Sequence, residues 1–403
     1  MALTKKHTLK QGTPLWLATR QKPLLQATAM VPKTDVVIIG TGVSGALMGD
    51  ALLQAGYTVT AVDRRAIMSG STPASTALLQ SELDKPLTEL QRRLGKSTAA
   101  RVWWRSAEAV KGLEARIEDL GIACEYRRRT TLYLPGNILD SEGLEAECAA
   151  RAAIGLRSQY IGAKELARIY GFHKRGAIVS AGNAEADPAK LVSGLWRSFL
   201  RRGGRLVQNN EIVRMDESRS AVRLMTAKGQ RIHAKYAVFC TGYEVLKGIQ
   251  PRGYKVISTW VLATKQQSRK LWPTRSLIWE AADPYLYLRT TADGRIIAGG
   301  EDESFADEEK RNALTARKIK TIAAKARKLW PTADFTPEFQ WSGCFGESPT
   351  SLPAIGLVPG MTRCYAVLGF GGNGITFSML AAQLVSRHIQ GLKDPDAELF
   401  ALS

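Results

Sequence analysis

Apolar and polar positions change period repeatedly along this chain. Asp35 to Ile39 is a short run of β-branched residues, the pattern of a parallel strand covered on both faces. Helical spacing follows at Val43, Ala46, Leu47, Ala51 and Leu52 and stops at Gly56, and Thr58 to Val62 reads as a second strand. Ala77 to Leu79 leads toward a helix, Pro86 opens another that runs to about Leu94, and Thr98 to Leu120 forms a long one. Tyr126 to Leu134 alternates as a strand, and helical spacing returns over 140–153 and 163–169. Asp187-Pro188 is a helix start, with Asp as N-cap and Pro in the first turn, and that helix ends at Gly203-Gly204. A meander leads to the core-like strand Tyr236 to Cys240. From about residue 246 the strands lengthen, over 255–264, 276–281, 284–291 and 294–299, with Asp293-Gly294 as a hairpin turn. An acidic loop (Glu301 to Glu303) precedes a basic amphipathic helix at 306–329. A strand over 337–347, the extended Leu352 to Gly356, a buried strand at Tyr365 to Leu368 and a helix from Ile375 to Gln390 complete the pattern.

The turn between the first strand and helix carries Gly40, Gly42 and Gly45 in G-x-G-x-x-G spacing. That order of elements suits a dinucleotide: Gly40 for the tight turn, Gly42 for approach of a pyrophosphate, Gly45 for close helix–strand packing. Helix-terminal N–H groups at Val43 and Ser44 then face the phosphates. Asp63 closes the second strand, where a carboxylate accepts ribose hydroxyls. This spacing alone does not choose between NAD and FAD.

Composition adds limits. An apolar share of 45% and a charged share of 23% over 403 residues describe a globular chain able to form two domains. Five scattered cysteines with no C-x-x-C pair argue for a reducing compartment and against a disulfide framework or structural zinc. The net charge of +19 is spread along the chain, which reads first as a solvated basic surface. Contact with an anionic membrane face or an acidic partner comes second and nucleic acid last. No apolar run reaches transmembrane length. Residues 1–34 lack a signal-peptide core and read as a leader packed on the surface, with Trp16 as its anchor. The placement expected is cytoplasmic, compatible with a peripheral position on the inner membrane face.

A second strand–glycine–helix turn stands at the far end, Gly369 to Gly374, without G-x-G-x-x-G spacing. Its backbone N–H groups could meet an anionic or carbonyl-bearing ring. With this turn the chain resembles the FAD-dependent glycine/D-amino-acid oxidase (DAO) family. The resemblance rests on Gly40 to Gly45 with Asp63, Cys240-Thr241-Gly242-Tyr243, Asp293 to Gly300, and Leu352 to Gly356 followed by Gly369 to Gly374, in the family's order. It implies an α/β fold in which a Rossmann-like FAD-binding domain (35–120, 180–245 and 340–403) interleaves with an α+β substrate domain (121–179 and 246–339) containing an antiparallel sheet. It also implies roles: Gly40, Gly42, Val43, Ser44, Gly45, Asp63 and Arg64 at the ADP half, Ser71, Thr72, Ser75 and Thr76 along the flavin, Gly242 near the pyrophosphate, and Gly371, Gly372, Asn373, Gly374 and Ile375 at the isoalloxazine carbonyls.

The activity so implied is oxidation of a C–N or C–O bond of an amino acid, secondary amine or 2-hydroxy acid by hydride transfer to flavin N5. The alternative is a flavin-binding subunit or tRNA-associated flavoprotein without turnover of its own. Arg289 is the first candidate to hold a substrate carboxylate, with Tyr285 and Tyr287 sharing one strand face beside it. Arg295 reads as structural, and the four histidines lie outside every flavin-facing motif. Cys344 lies near a covalent-flavin position of some relatives, but its spacing and neighbours differ, so FAD is expected to be non-covalent. The oxygen-activating lysine of sarcosine-oxidase relatives has no clear counterpart in Gly294 to Ala298. The acceptor, oxygen or a quinone, thereby tilts toward a quinone or carrier.

Overall fold

The computed structural model describes residues 3–19, 25–249, 251 and 253–402; the rest of the expected 1–34 leader lies outside them. Val36, Val37 and Ile38 have no exposed surface, because the strand Lys33–Ile39 runs between two parallel neighbours and under helices. Its register pairs Val36 with Val59 on one side and with Tyr236 on the other. The order of this sheet is Ala354–Leu357, Cys364–Leu368, Arg231–Phe239, Lys33–Ile39, Val59–Val62 and Arg205–Val207, with Val222–Thr226 also pairing Arg231–Phe239 and Ile212–Glu217 beyond it. Helix Val43–Gln54 packs on it beside helices Pro188–Arg201 and Gly374–Ile389. Gly49 allows the contact with Pro188–Arg201, since a Cβ there would stand 3.0 Å from the Phe199 ring.

The second sheet is mostly antiparallel. Its order is Lys10–Gly12, Pro337–Glu347, Lys255–Thr264, Ile296–Glu303, Leu286–Thr290, Leu277–Glu280, Arg127–Leu134, Gly176–Glu185 and Leu78–Leu79, with Ser158–Gly162 beside Gly176–Glu185. Helix Glu308–Leu329 covers one face over Trp260, Ile278 and Phe335. Asp187 caps the helix at Pro188 by accepting from the Ala189 and Lys190 N–H groups, as its sequence predicts.

Three local expectations are corrected. Leu78–Leu79 is a strand and not a helical lead, because it pairs with Ala184 and Glu185. Glu301 to Glu303 is not a loop: the strand continues to Glu303 past the Gly299-Gly300 pair. The leader is not merely a surface coat. Lys10–Gly12 pairs with Trp341 to Gly343, and Trp16 is 4% exposed. Among the described residues no helix is long and apolar enough to cross a membrane.

One buried ionic cluster anchors segment 80–84. Arg151 has no exposed surface and bridges Glu82 at 2.7 Å and Glu147 at 2.8 Å. Glu147 also accepts from the Leu87 and Thr88 N–H groups. A buried cation is tolerable only when paired in this way, and the pairing fixes the segment 80–84 that reaches the site described next.

Candidate active site

One elongated cavity holds ≈ 1910 Å³ of open space, its mouth included. It begins at Gly40. There φ is +110° and a Cβ would stand 2.2 Å from the Cys240 carbonyl oxygen, so only glycine fits. Gly45 does not reach the cavity. Its missing Cβ instead lets the helix seat close to the strand end, since a Cβ there would stand 2.0 Å from the Gly40 oxygen, the packing role predicted for it. Gly42 and Val43 line the wall, and Ser44 turns its hydroxyl to Ser378 of the far helix at 2.7 Å.

Asp63 sits at the same end. One carboxylate oxygen accepts from the Thr41 N–H and hydroxyl at 2.7 and 2.9 Å, and the other from the Arg65 N–H at 2.8 Å. Arg64 and Arg65 are both held by Glu244, and Arg64 also lies 3.6 Å from Glu211. Their charge is thus balanced from a strand end nearly two hundred residues away, which no local motif announces.

Ser71, Thr72, Ser75 and Thr76 line the middle of the cavity. Beneath them four successive carbonyls are pinned by large donors. Trp341 Nε1 donates to Ala74 at 2.9 Å and Trp16 Nε1 to Ser75 at 2.8 Å, while Arg289 Nη1 donates to Thr76 at 2.9 Å and Ala77 at 3.0 Å. Arg289 donates further to the Ala186 carbonyl, and burial lowers its pKa. It is therefore not free to hold a substrate carboxylate. The strand alternation does put it on the Tyr285 and Tyr287 face, but at that level the face is closed by residues 76–77, and Arg289 does not line the cavity. Arg295 turns to Asp293 and Glu338.

The far end lies under the second glycine turn. Gly242 and Gly371 through Ile375 line it. Asn373 Nδ2 donates to the Glu82 carbonyl at 2.7 Å and Thr376 to the Gln80 carbonyl at 3.0 Å, clasping segment 80–84. Asp84 accepts from the Gly372 N–H at 2.8 Å, and its own surface opens into the cavity although protein surrounds it. Burial raises its pKa, against the pull of that N–H. Trp279, Tyr285, Tyr287 and Thr259 form the wall opposite, with the two tyrosine rings 5.8 Å apart. Gly299 makes room for this wall, since a Cβ there would meet the Tyr287 hydroxyl at 2.2 Å.

Asp302 stands beside Tyr285 and Thr259. Burial pushes its pKa up to about 7, opposed by the Thr259 and Tyr285 side chains and reinforced by Asp84 and Glu347. Its Oδ1 is buried and has no hydrogen-bond partner among the described residues. Asp84 and Asp302 were missed from sequence. Asp302 was hidden in an acidic run read as a loop, and the strand alternation continued through Gly299-Gly300 would have placed it on a sheet face.

The residues fit a flavin dinucleotide: glycines stand wherever a Cβ would clash at the Gly40 turn, and a carboxylate closes the adjacent strand. Comparison with known proteins agrees. The DAO family model, described as FAD dependent oxidoreductase, matches residues 35–388. The chain belongs to this family. It is 24% identical to gamma-glutamylputrescine oxidoreductase of Escherichia coli (strain K12) over 377 residues, 91% of this chain and 85% of that one. Among solved structures, glycine oxidase from Geobacillus kaustophilus superposes with a TM-score of 0.77 at 19% identity, covering 93% of this chain and 99% of that one. L-proline dehydrogenase from P. horikoshii gives 0.74 at 18%, covering 92% and 97%. At such identities the structures speak for the fold. This DAO-family chain is an FAD-dependent oxidoreductase.

Proposed function

We propose that this enzyme oxidises the C–N bond of a small-molecule amine or amino acid. The observation that carries the reading is the single cavity joining the Gly40–Gly45 turn to the aromatic and acidic end under Gly371 to Gly374. FAD supplies the hydride-accepting N5 and carries the redox step. The protein's part is to hold the ADP half at Gly40, Gly42 and Asp63, to fix segment 71–77 against the ring, and to seat substrate against Tyr285, Tyr287 and Trp279. The names of the relatives, which include an amine oxidoreductase and two amino-acid enzymes, support a C–N bond over the C–O bond of a hydroxy acid.

The same reading keeps the two-part division of the chain, with two seams moved. Strands Gly176–Glu185 and Pro337–Glu347 are hydrogen-bonded within the antiparallel sheet and go with the substrate part. FAD is bound without a covalent link. Cys344 lines the cavity, but its sulfur accepts from Arg311 at 2.7 Å and burial raises its pKa, which disfavours the thiolate. No lysine lines the described cavity, which supports a quinone or carrier as acceptor over oxygen. Anaerobic mixing with a panel of amines, amino acids and 2-hydroxy acids tests the reading, with bleaching of the flavin absorbance by an amine or amino acid expected. Bleaching by none of them would favour a flavin-binding subunit. Fast peroxide formation with a good substrate would overturn the acceptor assignment.

A further inference from the structure

The charged groups that line the cavity are gathered at one end, with a single exception. Two lining side chains are cationic among the described residues, Arg64 and Arg65. Three of the lining acids, Asp63, Glu211 and Glu244, stand beside them. The fourth is Asp84, at the end under Gly371 to Gly374. No ion pair engages it among the described residues. Lys85, the next residue, lies 3.9 Å from Glu89 and does not line the cavity. Arg289, on the tyrosine strand, donates instead to the carbonyls of Thr76, Ala77 and Ala186.

The second glycine turn is shaped around this carboxylate. A Cβ on Gly371 would stand 2.6 Å from Asp84 Oδ2, and one on Gly372 would stand 2.8 Å from Oδ1. The Gly372 N–H donates to Oδ2 at 2.8 Å, so the group is fixed in place. Asp84 is not needed to hold its own segment. Asn373 and Thr376 already clasp the Glu82 and Gln80 carbonyls, and the Glu82 side chain is bound to Arg151. Opposite stand Trp279, Tyr285 and Tyr287, whose ring faces attract cations.

A carboxylate enclosed by protein and lacking an ion pair is costly unless a ligand supplies the counter-charge. A carboxylate carried in by the substrate would meet Asp84 and, among the described lining residues, no cation at that end. We propose that Asp84 is the counter-ion of a substrate alkylammonium group, and that the substrate bears no carboxylate on its reacting carbon. The inference rests on the amine-oxidation reading above and narrows it.

The test uses the FAD-loaded enzyme and two redox-inert probes of opposite charge, n-butyltrimethylammonium and pentanoate. The cation should perturb the flavin spectrum with a Kd about tenfold or more below that of pentanoate, the scale expected for pairing an enclosed charge. In Asp84→Asn the Kd of the cation should rise by about tenfold or more, while that of pentanoate stays level or falls and flavin content is unchanged. A merely structural carboxylate would not reverse this preference for charge. Pentanoate binding as tightly as the cation, or no spectral change with the cation, overturns the inference. So does an Asp84→Asn protein that keeps the cation affinity, or one that folds but loses flavin. A carbon-matched pair separates the inference from the reading beneath it. Anaerobic reduction of the flavin should be faster with n-butylamine than with norvaline. Faster reduction by norvaline overturns the inference and leaves the C–N reading intact, whereas reduction by 2-hydroxypentanoate alone overturns both. If Asp84→Asn does not fold, the two probes on the unaltered enzyme decide.

Discussion

The two ends of the cavity use charge in opposite ways. At the Asp63 end each oxygen of that carboxylate has a donor, and Arg64 and Arg65 are paired with Glu244 and Glu211. At the end under Gly371 to Gly374, Asp84 stands opposite the Trp279, Tyr285 and Tyr287 wall with no cation among the described lining residues. Paired charge is structural: it holds a shape whether or not a ligand is present. Charge left unpaired in a buried place is tolerable only where a ligand completes it. On the proposed function, the difference separates the end that keeps the cofactor from the end that exchanges substrates.

The comparison can be broken at either side. The largest effect is expected at the cofactor end, from Gly40→Ala. A Cβ 2.2 Å from the Cys240 oxygen at φ +110° should cost on the order of 3 kcal/mol or more and lose the flavin, checked by thermal unfolding and the absorbance of the purified protein. Next comes Arg289→Met, which strands three carbonyls beneath the flavin loop. A loss of about 3 kcal/mol of stability is expected together with weaker flavin retention. An intact Tm with a raised KM confined to carboxylated substrates would restore Arg289 as a substrate ligand and erase the contrast. Asp63→Ala removes a carboxylate that accepts two backbone N–H groups and should weaken FAD binding by about tenfold or more, read by fluorescence titration of the apoprotein. Unchanged occupancy would remove Asp63 from the cofactor end. Trp16→Phe deletes one hydrogen bond to the Ser75 carbonyl and should cost about 1 kcal/mol, seen as faster flavin release. The smallest effect is Cys344→Ser, where acid precipitation should leave the flavin in the supernatant of both proteins.

The cofactor end was legible in the sequence because its parts are local. Gly40, Gly42, Gly45 and Asp63 follow within one strand–helix–strand unit, and each glycine has a steric reason that spacing expresses. The C-terminal turn was legible for the same cause. The substrate end was not, because it is assembled by sheet register. Asp84 is brought in by Asn373, Gly372 and the Arg151 cluster, and Asp302 is set beside Tyr285 and Thr259 by a strand that runs past two glycines. Arg289 misled for a related reason. Period-two alternation correctly put it on the tyrosine face, but alternation cannot show that another segment has already closed that face at its level. Glu244 explains the Arg64-Arg65 pair only across the fold, so the pair read as unexplained charge.

The strand Lys10–Gly12 has a consequence for the order of events in making the enzyme. It pairs with Trp341 to Gly343, which leave the ribosome most of a chain later, and Leu3, Thr4 and Leu9 beside it form part of the cavity wall. During synthesis that wall is missing while the Gly40 turn is already available. Contacts so far apart in sequence are slow to form because the loop between them must first be closed. The segment made early is therefore seated late, and the cavity stands open on one side until the C-terminal strands arrive. Once seated, the segment also pins the flavin loop from outside, Trp16 Nε1 donating to the Ser75 carbonyl.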